Sequence, residues 1–302
     1  MSLITFSRER ADARVGRDDG PKKITVPYLT EKKLLRQPIS AVTAYDYASA
    51  RLVDEAGLDV LLVGDSLAMV MQGHENTLAV TMDEMLLYTR GVRRGVRRAL
   101  LVADMPFGSY TEAREGVANA VRFVKEAGAE AVKLEGGRER AELVRRVVDA
   151  EIPVMGHLGL TPQSVHRMGG YKVQGKTMEA IDALRTDAMT LEEAGCFALV
   201  LEGVPRELAR IVTEELRIPT IGIGAGPDCD GQILVLHDMM TMTFSKPAKF
   251  VRRYADVSGM MRTALGEYKR DVEERTFPSD AESYHLSQEM RELVSTSVEI
   301  LK

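Results

Sequence analysis

Six ionisable side chains stand where short apolar runs end: Asp65, Asp104, Lys133, Glu135, His157 and Glu202. Val60-Leu61-Leu62-Val63 runs into Gly64-Asp65-Ser66, and a run of this kind reads as a strand buried on both faces. A carboxylate at the end of such a strand has lost much of its water, so it needs a partner, a metal or a proton. Lys133 and Glu135 are two residues apart in an extended segment, which points both side chains to one face. Carboxylates at close quarters repel one another, and a hard divalent cation resolves the repulsion. Mg2+ suits carboxylates, water and substrate oxygens, whereas no thiolate or histidine pair is spaced for zinc. A metal held by two or three acids, with positions left open, can chelate a 2-oxo acid, polarise its carbonyl and stabilise an enolate. Lys133 would then balance the substrate carboxylate. Removing the proton beside the carbonyl needs a separate base, and Glu202 is the candidate.

Each residue also has a plainer reading. A lone acid at a strand end can cap a helix, and Asp104 before Met105-Pro106 can be a turn residue. Lys133 and Glu135 can form only an ion pair, His157 can be a hydrogen-bonded core histidine, and Ser66 can simply cap the next turn of chain. The glycines at 222, 224 and 226 can cradle a phosphate or simply permit close packing. The functional reading rests on coincidence: the acids, the lysine and the histidine fall at the same end of five successive apolar runs.

The elements that must position them alternate in type. Apolar segments begin near residues 39, 60, 99, 131, 152, 197, 218 and 232, with helical patterns between them. Thr81-Met82-Asp83-Glu84 is a capping-box pattern opening a helix. Glu-Ala-Gly occurs at 55–57, 126–128 and 193–195, each time just before an apolar strand. One unit is therefore a helix stop followed by a strand that delivers an acid. Eight such strands in one domain-sized stretch predict a single (β/α)8 TIM barrel with its site at the C-terminal ends of the strands. The barrel is expected over residues 21–278, after a flexible tail at 1–20 and before a helical extension at 279–302. The last strand is expected to end at His237-Asp238, and residues 246–274 to be largely helical.

The 302 residues are 45% hydrophobic and 28% charged, a balance that supports a large core. A net charge of -5 gives no basic footprint for nucleic acid or anionic membrane. Cys196 and Cys229 fit no metal or redox spacing. Residues 1–20 mix arginines with acids and lack an apolar core, unlike a signal peptide. No run reaches membrane-spanning length. The expected location is the cytoplasm.

Several stretches carry a resemblance: Val63-Gly64-Asp65-Ser66, Ala103-Asp104-Met105-Pro106-Phe107, Val132-Lys133-Leu134-Glu135-Gly136-Gly137, His157-Leu158-Gly159-Leu160-Thr161-Pro162-Gln163-Ser164 and Gly170-Tyr171-Lys172-Val173-Gln174-Gly175. Together they resemble the ketopantoate hydroxymethyltransferase family from about residue 25 to about residue 278. The resemblance implies a Mg2+-binding (β/α)8 barrel that assembles as a homodecamer. It implies transfer of a hydroxymethyl group from 5,10-methylenetetrahydrofolate to 3-methyl-2-oxobutanoate, giving 2-dehydropantoate for pantothenate synthesis. By the same resemblance Asp65 and Asp104 match the metal ligands, and Glu135 the third acid, acting directly or through water. Asp65, Ser66, Asp104 and Lys133 match the 2-oxo acid site with His157 beside them, and Glu202 matches the catalytic base.

Two features depart from the family pattern. Gly203 stands where the family usually has a cysteine, and both termini are extended. Leu286, Met290, Leu293, Val294 and Leu301 fall at helical spacing, and this amphipathic end is expected to pack on a neighbouring subunit. Two other readings of the acid cluster are a carbon–carbon lyase or phosphoryl mutase on a related Mg2+ barrel, and a non-catalytic barrel that binds a small acid or folate.

Overall fold

The computed structural model describes residues 22–300, and side chains as far as 295. The expected tail at 1–20 lies outside the described residues. Eight parallel strands close into a barrel in sequence order: β1 Ile39–Thr43, β2 Val60–Val63, β3 Leu100–Asp104, β4 Ala131–Glu135, β5 Val154–Gly159, β6 Ala198–Glu202, β7 Thr220–Ile223 and β8 Gly231–Leu234. Alternate residues of the strands fill its interior. Ile39, Ala41, Val60, Leu62, Leu100, Val102, Ala131, Met155, Ala198, Val200, Ile221 and Ile233 form one buried cluster. The period of two that turns these residues inward also turns Asp104, Lys133, Glu135, His157 and Glu202 inward, two or four residues further along.

Local chemistry sets the helix limits. The Thr81 hydroxyl accepts from Glu84 N–H at 3.3 Å while Glu84 Oε2 accepts from Thr81 N–H at 2.8 Å, so the expected capping box opens the helix Met82–Gly95. The glycines of the three Glu-Ala-Gly repeats have φ of 82°, 72° and 103°, a left-handed conformation in which glycine avoids a Cβ clash. The repeat is thus a helix stop before β2, β4 and β6.

The N-terminal mouth is closed by the helix Val26–Leu34. Ile24 and Leu29, both nearly inaccessible, join the barrel's interior cluster. Lys32 pairs with Asp59 at 2.7 Å, Lys33 with Asp230 at 2.8 Å and Lys23 with Glu130 at 2.5 Å. Those acids immediately precede β2, β8 and β4, so the lysines tie this segment to three strands around the rim.

Three local expectations change. Residues 224–230 join β7 to β8 without a helix, so alternation is incomplete. The last strand stops at Leu234, and Leu236–Met239 forms a helical turn. Residues 246–256 are irregular, and the helix runs only over Val257–Glu273, opened by Asp256 accepting from Gly259 N–H at 3.0 Å. The chain separates into two compact units, one ending at Leu236 and one beginning at His237, a boundary well ahead of residue 278. The second unit holds Val257–Glu273 and Gln288–Ile300.

Candidate active site

Five strands deliver the expected residues to one end of the barrel. The register pairs Asp104 with Lys133 across β3 and β4, Glu135 with His157 across β4 and β5, and Glu202 with Gly159 across β6 and β5. Gly159 has φ of 93°, and a Cβ there would strike the Glu202 carbonyl. The backbone beside Glu202 is therefore compatible only with glycine. Asp65 follows β2. Its N–H donates to Asp104 Oδ2 at 3.0 Å, and a Cβ on Gly64 would stand 2.9 Å from Ser66 Oγ.

The ion pairing differs from a simple Lys133–Glu135 bridge. Lys133 Nζ lies 2.6 Å from Asp104 Oδ1. Glu135 Oε1 instead lies 3.4 Å from His157 Nδ1, and His157 Nε2 lies 3.3 Å from Glu202 Oε2. The side chains of Asp104, Lys133, Glu135 and His157 are 3–5% exposed, whereas that of Glu202 is 16% exposed. Glu202 is therefore the most open acid of this cluster. Ser66 is half-buried, with its hydroxyl 2.8 Å from the Tyr45 hydroxyl, and its side chain does not cap the following turn.

These contacts set the electrostatics. Burial, then repulsion from Asp104 and Glu135, pushes Asp65 up to about 8, against the opposing pull of Lys133 and Gln163. Burial alone would lower Lys133, but Asp104, Asp65 and Glu135 together hold its ammonium above the usual value. Burial and the Lys133 charge both depress His157, yet its flanking carboxylates, Glu135 and Glu202, outweigh them and hold it at about 9. The site thus keeps its two cations charged while it disfavours ionised Asp65.

The donor set also bears on a cation. Among the described residues no three His, Cys, Asp or Glu side chains converge into a ready chelate. Mg2+ does not need one, since it is commonly held by one or two carboxylates with water completing its shell. Two neighbouring carboxylates, Asp65 and Asp104, stand here. Glu135 Oε1, buried and engaged only by the 3.4 Å ion pair with His157 Nδ1, is an acceptor suited to a bridging water.

Two residues outside the charged set complete the site. Gln163 and Tyr110 are buried and bonded to each other, to Asp65 and to Glu135. Gln163 lies within a recognisable motif, but an uncharged residue in a loop gives little signal of its role. Tyr171, on the polar loop after β5, is half-exposed with its hydroxyl 3.9 Å from Met69 Sδ. Burial, then the charges of Asp65 and Glu202, raise its phenol, so this loop reaches the mouth of the site. The glycines at 222 and 226 pack closely: a Cβ would stand 3.0 Å from Cys229 Sγ at the first and 2.7 Å from Arg206 Cγ at the second.

Residues 23–280 match the family model for ketopantoate hydroxymethyltransferase. The chain is 61% identical over 272 residues to the 3-methyl-2-oxobutanoate hydroxymethyltransferase of Koribacter versatilis (strain Ellin345), covering 90% of this chain and 92% of that protein. It is 52% identical over 269 residues to the enzyme of the same name from Syntrophomonas wolfei subsp. wolfei, covering 89% and 98%. Among solved structures, phosphonopyruvate hydrolase in complex with oxalate and Mg++ superposes with a TM-score of 0.60 over 92% of this chain and 98% of that one. Its 14% identity makes that a likeness of fold, so the lyase and mutase reading gains nothing beyond the barrel.

Proposed function

This chain belongs to the ketopantoate hydroxymethyltransferase family, and on that premise we propose that it transfers a hydroxymethyl group from 5,10-methylenetetrahydrofolate to 3-methyl-2-oxobutanoate. The observation that carries the reading is the buried cluster of Asp65, Asp104, Lys133, Glu135 and His157, with the more open Glu202 at its edge. Asp65 and Asp104 would hold Mg2+, with Glu135 acting through water. When bound, Mg2+ supplies Lewis-acid polarisation of the keto oxygen.

The remaining chemistry belongs to the side chains. Glu202 takes the single proton from C3 of the 2-oxo acid, and the electron pair left there forms the bond to the one-carbon unit. Water breaks both methylene C–N bonds of 5,10-methylenetetrahydrofolate, its hydrogens going to the two nitrogens of the departing tetrahydrofolate and its oxygen staying on the one-carbon unit. After the C–C bond forms, that oxygen takes the proton back from Glu202, and 2-dehydropantoate is the product. His157, between Glu202 and Glu135, keeps a positive charge against the base and fixes its position. Lys133 offsets the charge of Asp104 and offers a donor to the substrate. The Ser66 hydroxyl, oriented by Tyr45, offers a second.

The same reading carries a cytoplasmic homodecamer. No helix among the described residues is long and apolar enough to cross a membrane. In the second unit Met260, Leu265, Tyr268, Leu286 and Leu293 are each more than half exposed in the single chain, which favours cover by another subunit.

Glu202→Gln tests the assignment by tetrahydrofolate-dependent product formation and by deuterium exchange at C3. Both rates should fall by about 100-fold or more while Mg2+ binding is retained. Full activity in Glu202→Gln overturns the base, and activity unaffected by EDTA overturns the metal.

A further inference from the structure

Gln163, 7% exposed on the turn Pro162–Ser164 after β5, has every polar side-chain atom engaged. Its Nε2 donates to Asp65 Oδ2 at 2.8 Å and to the Met105 carbonyl at 3.0 Å. Its backbone N–H donates to Glu135 Oε2 at 3.0 Å. Its Oε1 accepts from Tyr110 Oη at 2.5 Å, and Tyr110 Oη accepts from Glu135 N–H at 3.3 Å.

These donors and acceptors have one consistent arrangement. The Glu135 N–H can only donate, so it occupies a lone pair of Tyr110 Oη. The phenolic proton then goes to Gln163 Oε1. With that oxygen taken, both amide hydrogens must face Asp65 and Met105. Reversing the amide would set its oxygen against the Met105 carbonyl oxygen at 3.0 Å and its N–H groups against the Tyr110 hydroxyl.

We propose that Gln163 is a positioning residue that fixes Asp65 and Glu135 relative to one another, with the direction of its amide set by Tyr110. The inference rests on the reading of these acids as the metal site. A carboxamide suits the task because it donates to a carboxylate without adding charge. A lysine here would compete with the cation, and a glutamate would add a further like charge beside Asp65. Groups that orient metal-ligating carboxylates typically contribute 10–100-fold to metal affinity.

The test uses the full chain with Gln163→Met, which keeps the stem and the backbone donor, and Tyr110→Phe, which removes one hydroxyl. Mg2+ affinity is read by titration calorimetry on EDTA-stripped protein, folding by thermal unfolding, and Asp65 geometry by crystallography. Gln163→Met should weaken Mg2+ binding by about 10–100-fold, and Tyr110→Phe should lower it less, in the same direction. A folded Gln163→Met that binds Mg2+ within about twofold of wild type overturns the proposal. If Gln163→Met does not fold, Tyr110→Phe decides by the same criterion. If the wild-type protein takes up no Mg2+, the metal reading fails separately. The Asp65 carboxylate in Tyr110→Phe crystals then decides, and an unchanged plane overturns the positioning role.

Discussion

Replacing Lys133 by methionine probes what lets the barrel hold its acids. The Lys133 ammonium lies 2.6 Å from Asp104 Oδ1, and both side chains are 3–5% exposed. Methionine keeps most of the stem but leaves Asp104 beside Asp65 and Glu135 without that cation. Breaking a buried ion pair from one side costs about 3–5 kcal/mol. The barrel unit ends at Leu236, and in domains of that size each kcal/mol moves Tm by roughly 2–4 °C, so a fall of about 6–20 °C is expected.

The sign with pH is fixed. Because Lys133 is held above its usual value, its contribution is whole below the unfolded value of about 10.4 and fades only as pH rises past it. Calorimetry near neutral pH in EDTA therefore reads the full effect. The double variant Lys133→Met with Asp104→Asn removes both partners and should recover most of the loss. Added Mg2+ should restore part of the single variant's stability by mass action. A single variant melting within about 2 °C of wild type would refute the reasoning, as would a double variant no more stable than the single.

Two further outcomes rest on contacts at the two mouths of the barrel. In metal-free protein Asp65, held at about 8, keeps a proton that the unfolded chain releases near 3.9, so its stabilisation is lost as pH rises between those values. His157, held at about 9, contributes fully below about 6.5 and loses that contribution as pH rises through its folded value. Tm in EDTA should therefore fall from about pH 5 to about pH 9; Asp65→Asn flattens the lower part, His157→Gln flattens the upper part, and a Tm that climbs with pH contradicts both. At the opposite mouth, Asp230 accepts from Lys33 at 2.8 Å and from Thr220 N–H at 2.8 Å. Asp230→Ala should lower stability by about 1–3 kcal/mol with kcat unchanged, and chemical denaturation beside a transfer assay checks the separation.

How far the site can be read from the sequence depends on which physical signal each residue carries. Buried strands announce themselves as unbroken apolar runs, and the period of two tells which residues face inward. That is why Asp104, Lys133, Glu135, His157 and Glu202 are recognisable as one set. The same parity does not name a residue's neighbour. Lys133 is close in sequence to Glu135 yet bonds Asp104, because the β3–β4 register sets Asp104 opposite Lys133. Register is a tertiary quantity, absent from a single strand's pattern. The missing helix between β7 and β8 escapes for a related reason: a short connection is governed by closure of the barrel rather than by periodicity.

The silence of Gln163 and Tyr110 in the sequence has a different cause. A carboxylate in a core creates an electrostatic demand that can be seen in its residue type, whereas the group that meets part of that demand can be neutral. Here two neutral side chains form a hydrogen-bonded link that touches both Asp65 and Glu135. Ionisable residues therefore indicate where the chemistry of this barrel lies, while its fine geometry depends on uncharged donors whose importance appears only after the strands have assembled.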